Sequence, residues 1–219
     1  HDRVVLLPEV GVDPTVFKER IPTDSERLTF VFVGRLVPYK CADVAIRAFA
    51  ESDELRKHKL MMIGDGPDRP MLEALIKEHN LEDCVELSGW VDQAEVGNLL
   101  RSADVFVFPS IRELGAGVVV EAMAAGLPSV VVDYGGPGGL ITDECGRKVS
   151  LGSKEHIASA MRVHLEELER DKDLREKLGA AARQRVEDHL TWHAKAMQTL
   201  EIYKWVTGER ADKPEFAVQ

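Results

Sequence analysis

The stretch Leu28-Thr29-Phe30-Val31-Phe32-Val33-Gly34 decides how this chain folds. It is an almost unbroken apolar run ended by a glycine, so a strand built from it must be buried on both faces. That is the situation of a strand in the middle of a parallel sheet covered by helices. Directly after it, Ala42, Ala45, Ile46 and Phe49 recur at helical spacing.

Working outward, the same alternation repeats. Leu60-Met61-Met62-Ile63 is stopped by Gly64-Asp65-Gly66-Pro67 and followed by Leu72, Leu75 and Ile76 at helical intervals. Val85-Glu86-Leu87 precedes a helix through Val96, Leu99 and Leu100, and Val105-Phe106-Val107-Phe108-Pro109 is another buried strand. A helix from about Gly117 to Ala125 is closed by Gly126, with Pro128 just beyond, before the strand Ser129 to Val132. At the start, Val4 to Leu7 also reads as a strand. From Ser153 onward the pattern is helical: one stripe of Ile157, Ala160, Met161 and Leu165, another of Leu174, Leu178, Ala181 and Ala182, and a last helix with Trp192, Ala196, Leu200 and Tyr203.

Strands alternating with helices form right-handed crossovers. The predicted fold is therefore α/β, a doubly wound Rossmann-like parallel sheet with helices on both faces and a helical C-terminus. One domain is expected over residues 1–206, with a lead-in segment at 1–27 and a terminal helix at 191–206. The polar stretch 207–219 reads as a flexible tail.

Composition narrows the function classes. With 219 residues, 44% hydrophobic and 30% charged, the chain can bury a large core and is not of disordered composition. A net charge of −10 argues against unspecific binding to nucleic acid or anionic lipid. Cys41, Cys84 and Cys145 are far apart with no CxxC, which suits buried reduced thiols and a cytoplasmic setting. No apolar run approaches the length needed to span a bilayer, and membrane contact is not expected from this part. Because the chain opens on His1, at what reads as a strand, it is taken as a fragment whose upstream half is missing.

In such a sheet, ligands sit beyond the carboxyl ends of the strands. The turns to inspect therefore start at Gly34, Gly64, Ser88, Ser110 and Asp133. After Gly34, Arg35 and Lys40 flank Pro38 where a helix begins, and two cations at a helix N-terminus would suit a diphosphate. The competing reading is two solvated surface charges. Further on, Glu113 and Glu121 are separated by seven residues that include Gly115 and Gly117. The glycines place Glu113 in a loop and Glu121 in a helix, with the backbone N–H groups of Ala116, Gly117 and Val118 turned toward a phosphate or sugar. A carboxylate in so apolar a helix needs a donor, either ribose hydroxyls or an internal cation.

The remaining glycine clusters are less telling. Gly64-Asp65-Gly66-Pro67 has Arg69 where a dinucleotide fingerprint needs a third glycine, and Gly135-Gly136-Pro137-Gly138-Gly139 lacks the Lys-Ser or Lys-Thr of a P-loop and reads as a mobile turn. No GxSxG, HExxH or CxxC occurs, so serine nucleophiles and metal sites find no support.

Taken together and in order, these stretches resemble the C-terminal domain of the retaining glycosyltransferases of group 1 (family four), which have the two-domain GT-B fold. The resemblance runs from Pro8-Glu9-Val10-Gly11-Val12-Asp13 through Val33-Gly34-Arg35 with Lys40, Ile63-Gly64-Asp65-Gly66-Pro67 and Ser88-Gly89-Trp90-Val91. It continues through Ala103 to Ser110, the Glu113–Glu121 pair, Gly146-Arg147-Lys148-Val149 and the Trp192 helix.

The resemblance implies that Arg35 and Lys40 neutralise the departing diphosphate, that Glu113 contacts the transferred sugar, and that Glu121 holds the ribose. It also implies that Gly34, Gly89, Trp90 and Val91 line the nucleotide, that Ala116 to Val118 offer amides, and that no metal or other cofactor takes part. The partners implied are a UDP-, GDP- or ADP-linked sugar and an N-terminal acceptor-binding domain, without which this part would transfer nothing. Two departures stand out. Glu113-Leu114-Gly115-Ala116 replaces the family's frequent Glu-Gly-Phe-Gly, and Pro137-Gly138-Gly139-Leu140-Ile141 lacks a glutamate often found there. Two alternative readings are a non-catalytic nucleotide-binding scaffold and a sugar-nucleotide epimerase of the same architecture.

Overall fold

A computed structural model describes residues 4–21 and 25–216. Six strands form one sheet: β1 (Thr29–Val33), β2 (Lys59–Ile63), β3 (Val85–Gly89), β4 (Val105–Phe108), β5 (Ser129–Val132) and β6 (Gly146–Val149). Every neighbouring pair is parallel and the order is β3-β2-β1-β4-β5-β6. The expected doubly wound α/β architecture is present. The chain first winds from β1 to β3 and then returns to the other side of β1 with β4. The loops after β1 and β4 therefore diverge and leave a crevice between them.

The core explains this order. Phe30, Phe32, Phe106 and Phe108 on the two central strands are fully buried. Phe30 meets Phe49 of α1 (Ala42–Ala50) edge-on at 5.3 Å, and Phe32 stacks on Phe108 at 6.1 Å. Helix α1 packs against α2 (Arg69–Glu78) and α6 (Lys154–Arg170), whereas α4 (Gly117–Ala124) packs against α5 (Gly135–Leu140) and α7 (Lys172–His189). The remaining helices are α3 (Gln93–Arg101) and α8 (Trp192–Thr207).

Caps follow side-chain chemistry. Asp92, Ser153, Asp171 and Thr191 each accept a backbone N–H at the start of α3, α6, α7 and α8. Gly126, with φ +77, ends α4 as expected.

Three local readings differ from the structure. Val4 to Leu7 is not a strand: Val4 and Leu6 are exposed, and the lead-in pairs through a single bridge, Val12 with Thr191. Alternation alone cannot supply a partner, and the sheet's edges are already β3 and β6. Gly135 to Gly139 is not an open turn but most of the short helix α5. Finally, β6 went unread because its sequence, Gly146-Arg147-Lys148-Val149, puts two cations in an edge strand. Arg147 pairs with Glu167 at 2.9 Å and Lys148 with Asp133 at 3.2 Å.

The stretch after α8 turns at Gly208, where φ is +83. Arg210 reaches back to Glu201 at 2.9 Å, and Pro214 is buried.

Candidate functional site

The crevice is built from two turns that hold each other. Gly64 has φ +136, and a Cβ there would lie 1.9 Å from the Gly34 carbonyl oxygen; at Gly66 it would lie 2.3 Å from that of Leu36. Only glycine permits so close an approach. Leu36 N–H donates to the Asp65 carbonyl at 2.9 Å, and Asp68 N–H to that of Leu36 at 3.0 Å. The Gly64-Asp65-Gly66-Pro67 cluster thus braces the loop that carries Arg35 and Lys40.

From that loop, a single 3-10 turn (Pro38–Lys40) lifts Lys40 toward β4. Its Nζ forms an ion pair with Glu113 Oε1 and sits 5.1 Å above the centre of the Phe108 ring. Both partners are largely shielded from solvent. Ser110, fully buried, donates from Oγ to the same Glu113 oxygen at 2.7 Å and lies 3.2 Å from the Tyr39 carbonyl. Ile111 N–H also donates to Tyr39 at 3.0 Å, tying the two loops together. Arg35 stands on the same sheet edge, exposed, and its guanidinium has no partner among the described residues.

Glu121 lies inside α4, as the glycines suggested, and meets neither cation. Its partner is the Gln93 amide, which donates to Oε1 at 3.2 Å. Burial pushes the Glu121 carboxyl above its ordinary pKa, and the Gln93 hydrogen bond only partly offsets that. Ala116 caps α4 in the left-handed region, with φ 53 and ψ 51, an uncommon conformation for a residue with a Cβ. The N–H groups of Ala116, Gly117 and Val118 find no acceptor among the described residues. They stay free to bind an anion at the N-terminus of α4.

Beside the two carboxylates are two cavities. One of about 330 Å3 adjoins Glu113, and one of about 520 Å3 adjoins Glu121, Gln93 and Trp192; Glu9 lines both. On the β2–β3 side, Gly89 (φ +79) bridges Gly64, Val91 is half-buried, and Trp90 is 76% exposed. A wider groove at the β3 edge is a poorer candidate, because three of the four cations lining it are already engaged: Lys59 with Glu86, Arg69 with Glu73, and Arg27 with the Asp83 carbonyl. Among the described residues, no group of three or more His, Cys, Asp or Glu side chains is placed to hold a metal ion.

Two members of the site had no role in the sequence reading. Ser110 was noted as the start of a turn and the end of a matching stretch but given no role, although its place three residues before Glu113 and just after β4 was a usable signal. Gln93 was not singled out at all: its contact with Glu121 spans 28 residues and depends on where Asp92 starts α3.

Comparisons with known proteins identify the family. The family model for group 1 glycosyl transferases matches residues 14–185. A D-inositol 3-phosphate glycosyltransferase from Kineococcus radiotolerans is 32% identical over 95% of this chain and 53% of its own length. Among solved structures, sucrose-phosphate synthase from Thermosynechococcus elongatus superposes with a TM-score of 0.77 and 25% identity, over 94% of this chain and 53% of that one. The Anabaena protein HepE in complex with UDP and glucose gives a TM-score of 0.71 at 20% identity, over 89% and 55%. The chain spans about half the length of the curated relatives it matches. No helix among the described residues is long and apolar enough to cross a membrane. Family model, relative and fold converge: the chain belongs to the group 1 glycosyltransferases and adopts a Rossmann-like half of the GT-B architecture.

Proposed function

We propose that this chain is the donor-binding half of a retaining glycosyltransferase, moving a sugar from a nucleoside diphosphate to an acceptor hydroxyl. The observation that carries the reading is the cluster of Lys40, Glu113 and Ser110 at the point where the strand order reverses, with the free guanidinium of Arg35 on the same edge. There, Lys40 and Arg35 stabilise charge developing on the departing diphosphate, assisted by the free amides of Ala116, Gly117 and Val118. Glu113 holds the transferred sugar, Glu121 accepts from the ribose hydroxyls, and the backbone of Gly34 and of Gly89 to Val91 lines the nucleotide.

Catalysis then consists of positioning and charge stabilisation, with the acceptor attacking the face the diphosphate leaves. This reading needs neither a metal nor an enzyme nucleophile. The solved neighbour that holds UDP and glucose supports a nucleotide sugar as the ligand class. The acceptor would be bound by a second, N-terminal half, in a cytoplasmic enzyme that meets a membrane only where the acceptor is a lipid. The test is turnover of UDP-, GDP- and ADP-linked sugars by the full-length protein. Alanine at Arg35, Lys40, Glu113 or Glu121 is expected to remove transfer in a folded enzyme; unchanged turnover would overturn the proposal.

A further inference from the structure

The charged groups that line the cavity beside Glu121 are all carboxylates. Glu9, Asp13 and Glu121 line it, and among the described residues no lysine, arginine or histidine does. A diphosphate would be repelled there. What such a cavity can take from a nucleotide is an uncharged part that carries hydroxyls. Asp13 is already engaged by Thr15, whose N–H and Oγ donate to its Oδ1 at 2.8 and 2.7 Å. Gln93 changes what Glu121 can do. It is the first residue of α3, placed by the Asp92 cap directly after the Gly89 to Val91 stretch. One of its amide N–H bonds donates to Glu121 Oε1 at 3.2 Å. The second N–H and the amide oxygen have no partner among the described residues.

An ionised carboxylate only accepts hydrogen bonds, whereas a hydroxyl both donates and accepts. Glu121 by itself would therefore satisfy the protons of a ribose cis-diol and leave the hydroxyl oxygens without donors. The free N–H of Gln93, fixed beside the same carboxylate, supplies a donor for one of them. The bond from Gln93 also favours the ionised, accepting form of Glu121 against the effect of burial. We infer that Gln93 is a specificity-determining residue that donates to one ribose hydroxyl directly, while Glu121 accepts from both. The inference rests on the donor-binding reading above and adds to it a second ribose contact, carried by α3. A neutral amide suits this place, because it leaves Glu121 its charge; a lysine or arginine would cancel it.

Calorimetric titration of this chain tests it, first with UDP, GDP and ADP and then, for the base that binds, with the 2′-deoxy and 3′-deoxy diphosphates. Each missing hydroxyl is expected to weaken binding by about tenfold, as for one hydrogen bond to a charged acceptor. Gln93→Met keeps the length of the side chain without its polar atoms. It is expected to cut one of these two ratios by about threefold or more and to leave the other within about twofold, whereas Glu121→Gln lowers both. Gln93→Ala should repeat the pattern; Gln93 is exposed, so neither variant is expected to unfold the chain. An equal fall of both ratios in the Gln93 variants would mean that Gln93 acts only through Glu121, and it overturns the inference, as does no change in either. Wild-type binding indifferent to both hydroxyls overturns it too and leaves the diphosphate part of the donor-binding reading standing. Failure of every nucleotide to bind a folded sample would overturn both.

Discussion

Glu113 and Glu121 are the same residue type, eight positions apart, on either side of the start of α4, yet the fold treats them in opposite ways. Glu113 sits in a loop, compensated by the Lys40 ammonium and the Ser110 hydroxyl. Glu121 sits in the helix with one neutral amide, from Gln93, and burial disfavours its charged form. The first is part of a neutralised, braced cluster. The second is a carboxylate short of hydrogen-bond donors, which the proposed ribose hydroxyls would supply. Spacing alone does not distinguish the two; the partners do.

Breaking the braced cluster should have the larger effect. Lys40→Ala removes the cation shared by Glu113 and the proposed diphosphate, and kcat of the full-length enzyme is expected to fall by about 10²–10³-fold, as for loss of one charge-stabilising donor. A loss below about tenfold would place Lys40 outside the chemistry.

Lys195 offers a control for burial without compensation. It is 93% shielded, its ammonium bonded among the described residues only to the Gln198 amide oxygen at 3.2 Å, and its pKa is pushed down to about 8. The unfolded state therefore keeps the proton to higher pH than the folded one. Stability should rise as pH increases from about 8 toward the ordinary lysine value, with the full penalty present below about 8. Lys195→Met should accordingly stabilise the protein near pH 7 by roughly 1–3 kcal/mol, seen as a higher urea midpoint, and flatten that pH dependence. A lower midpoint would mean that the ammonium is compensated in the fold.

Glu121→Gln sharpens the contrast with a smaller change. It should weaken nucleotide binding by about tenfold, since hydrogen bonds to a charged acceptor are stronger than those to an amide. In the unliganded protein it should not reduce stability. The raised pKa means that the folded state holds the proton more tightly, so wild-type stability falls as pH rises from the ordinary glutamate pKa through the raised one. The glutamine variant should lack that component in pH-dependent denaturation. An unchanged pH profile would contradict the assignment of burial as the cause.

Most of the fold was legible because the central strands are apolar on both faces, as with Phe30 to Val33, and β1, β2 and β4 each run straight into a glycine or proline. What escaped is instructive. Gly146 to Val149 puts two half-buried, ion-paired cations in an edge strand and matches no apolar template, while Val4 to Leu7 matches the template but lacks a partner. Four of the six residues of α5 are glycine and one is proline, so no propensity scale would place it; it holds because Gly136 N–H donates to the Glu113 carbonyl at 3.2 Å and Pro137 and Leu140 are buried. In the candidate site, the turns that carry Lys40, Glu113 and Glu121 could be placed from the sequence. Their pairing could not: that Lys40 meets Glu113 while Glu121 takes Gln93 depends on contacts between distant loops.

The claim beneath all of this is that Arg35 and Lys40, at the reversal of the strand order, form a receptor for a pyrophosphoryl group. Calorimetry of this chain with a nucleoside diphosphate and the matching monophosphate measures that directly. For the base that binds, the diphosphate should bind at least about tenfold more tightly, with most of the difference lost in Lys40→Ala and Arg35→Ala. Equal affinity for the two nucleotides, or a difference that survives both substitutions, would contradict the account.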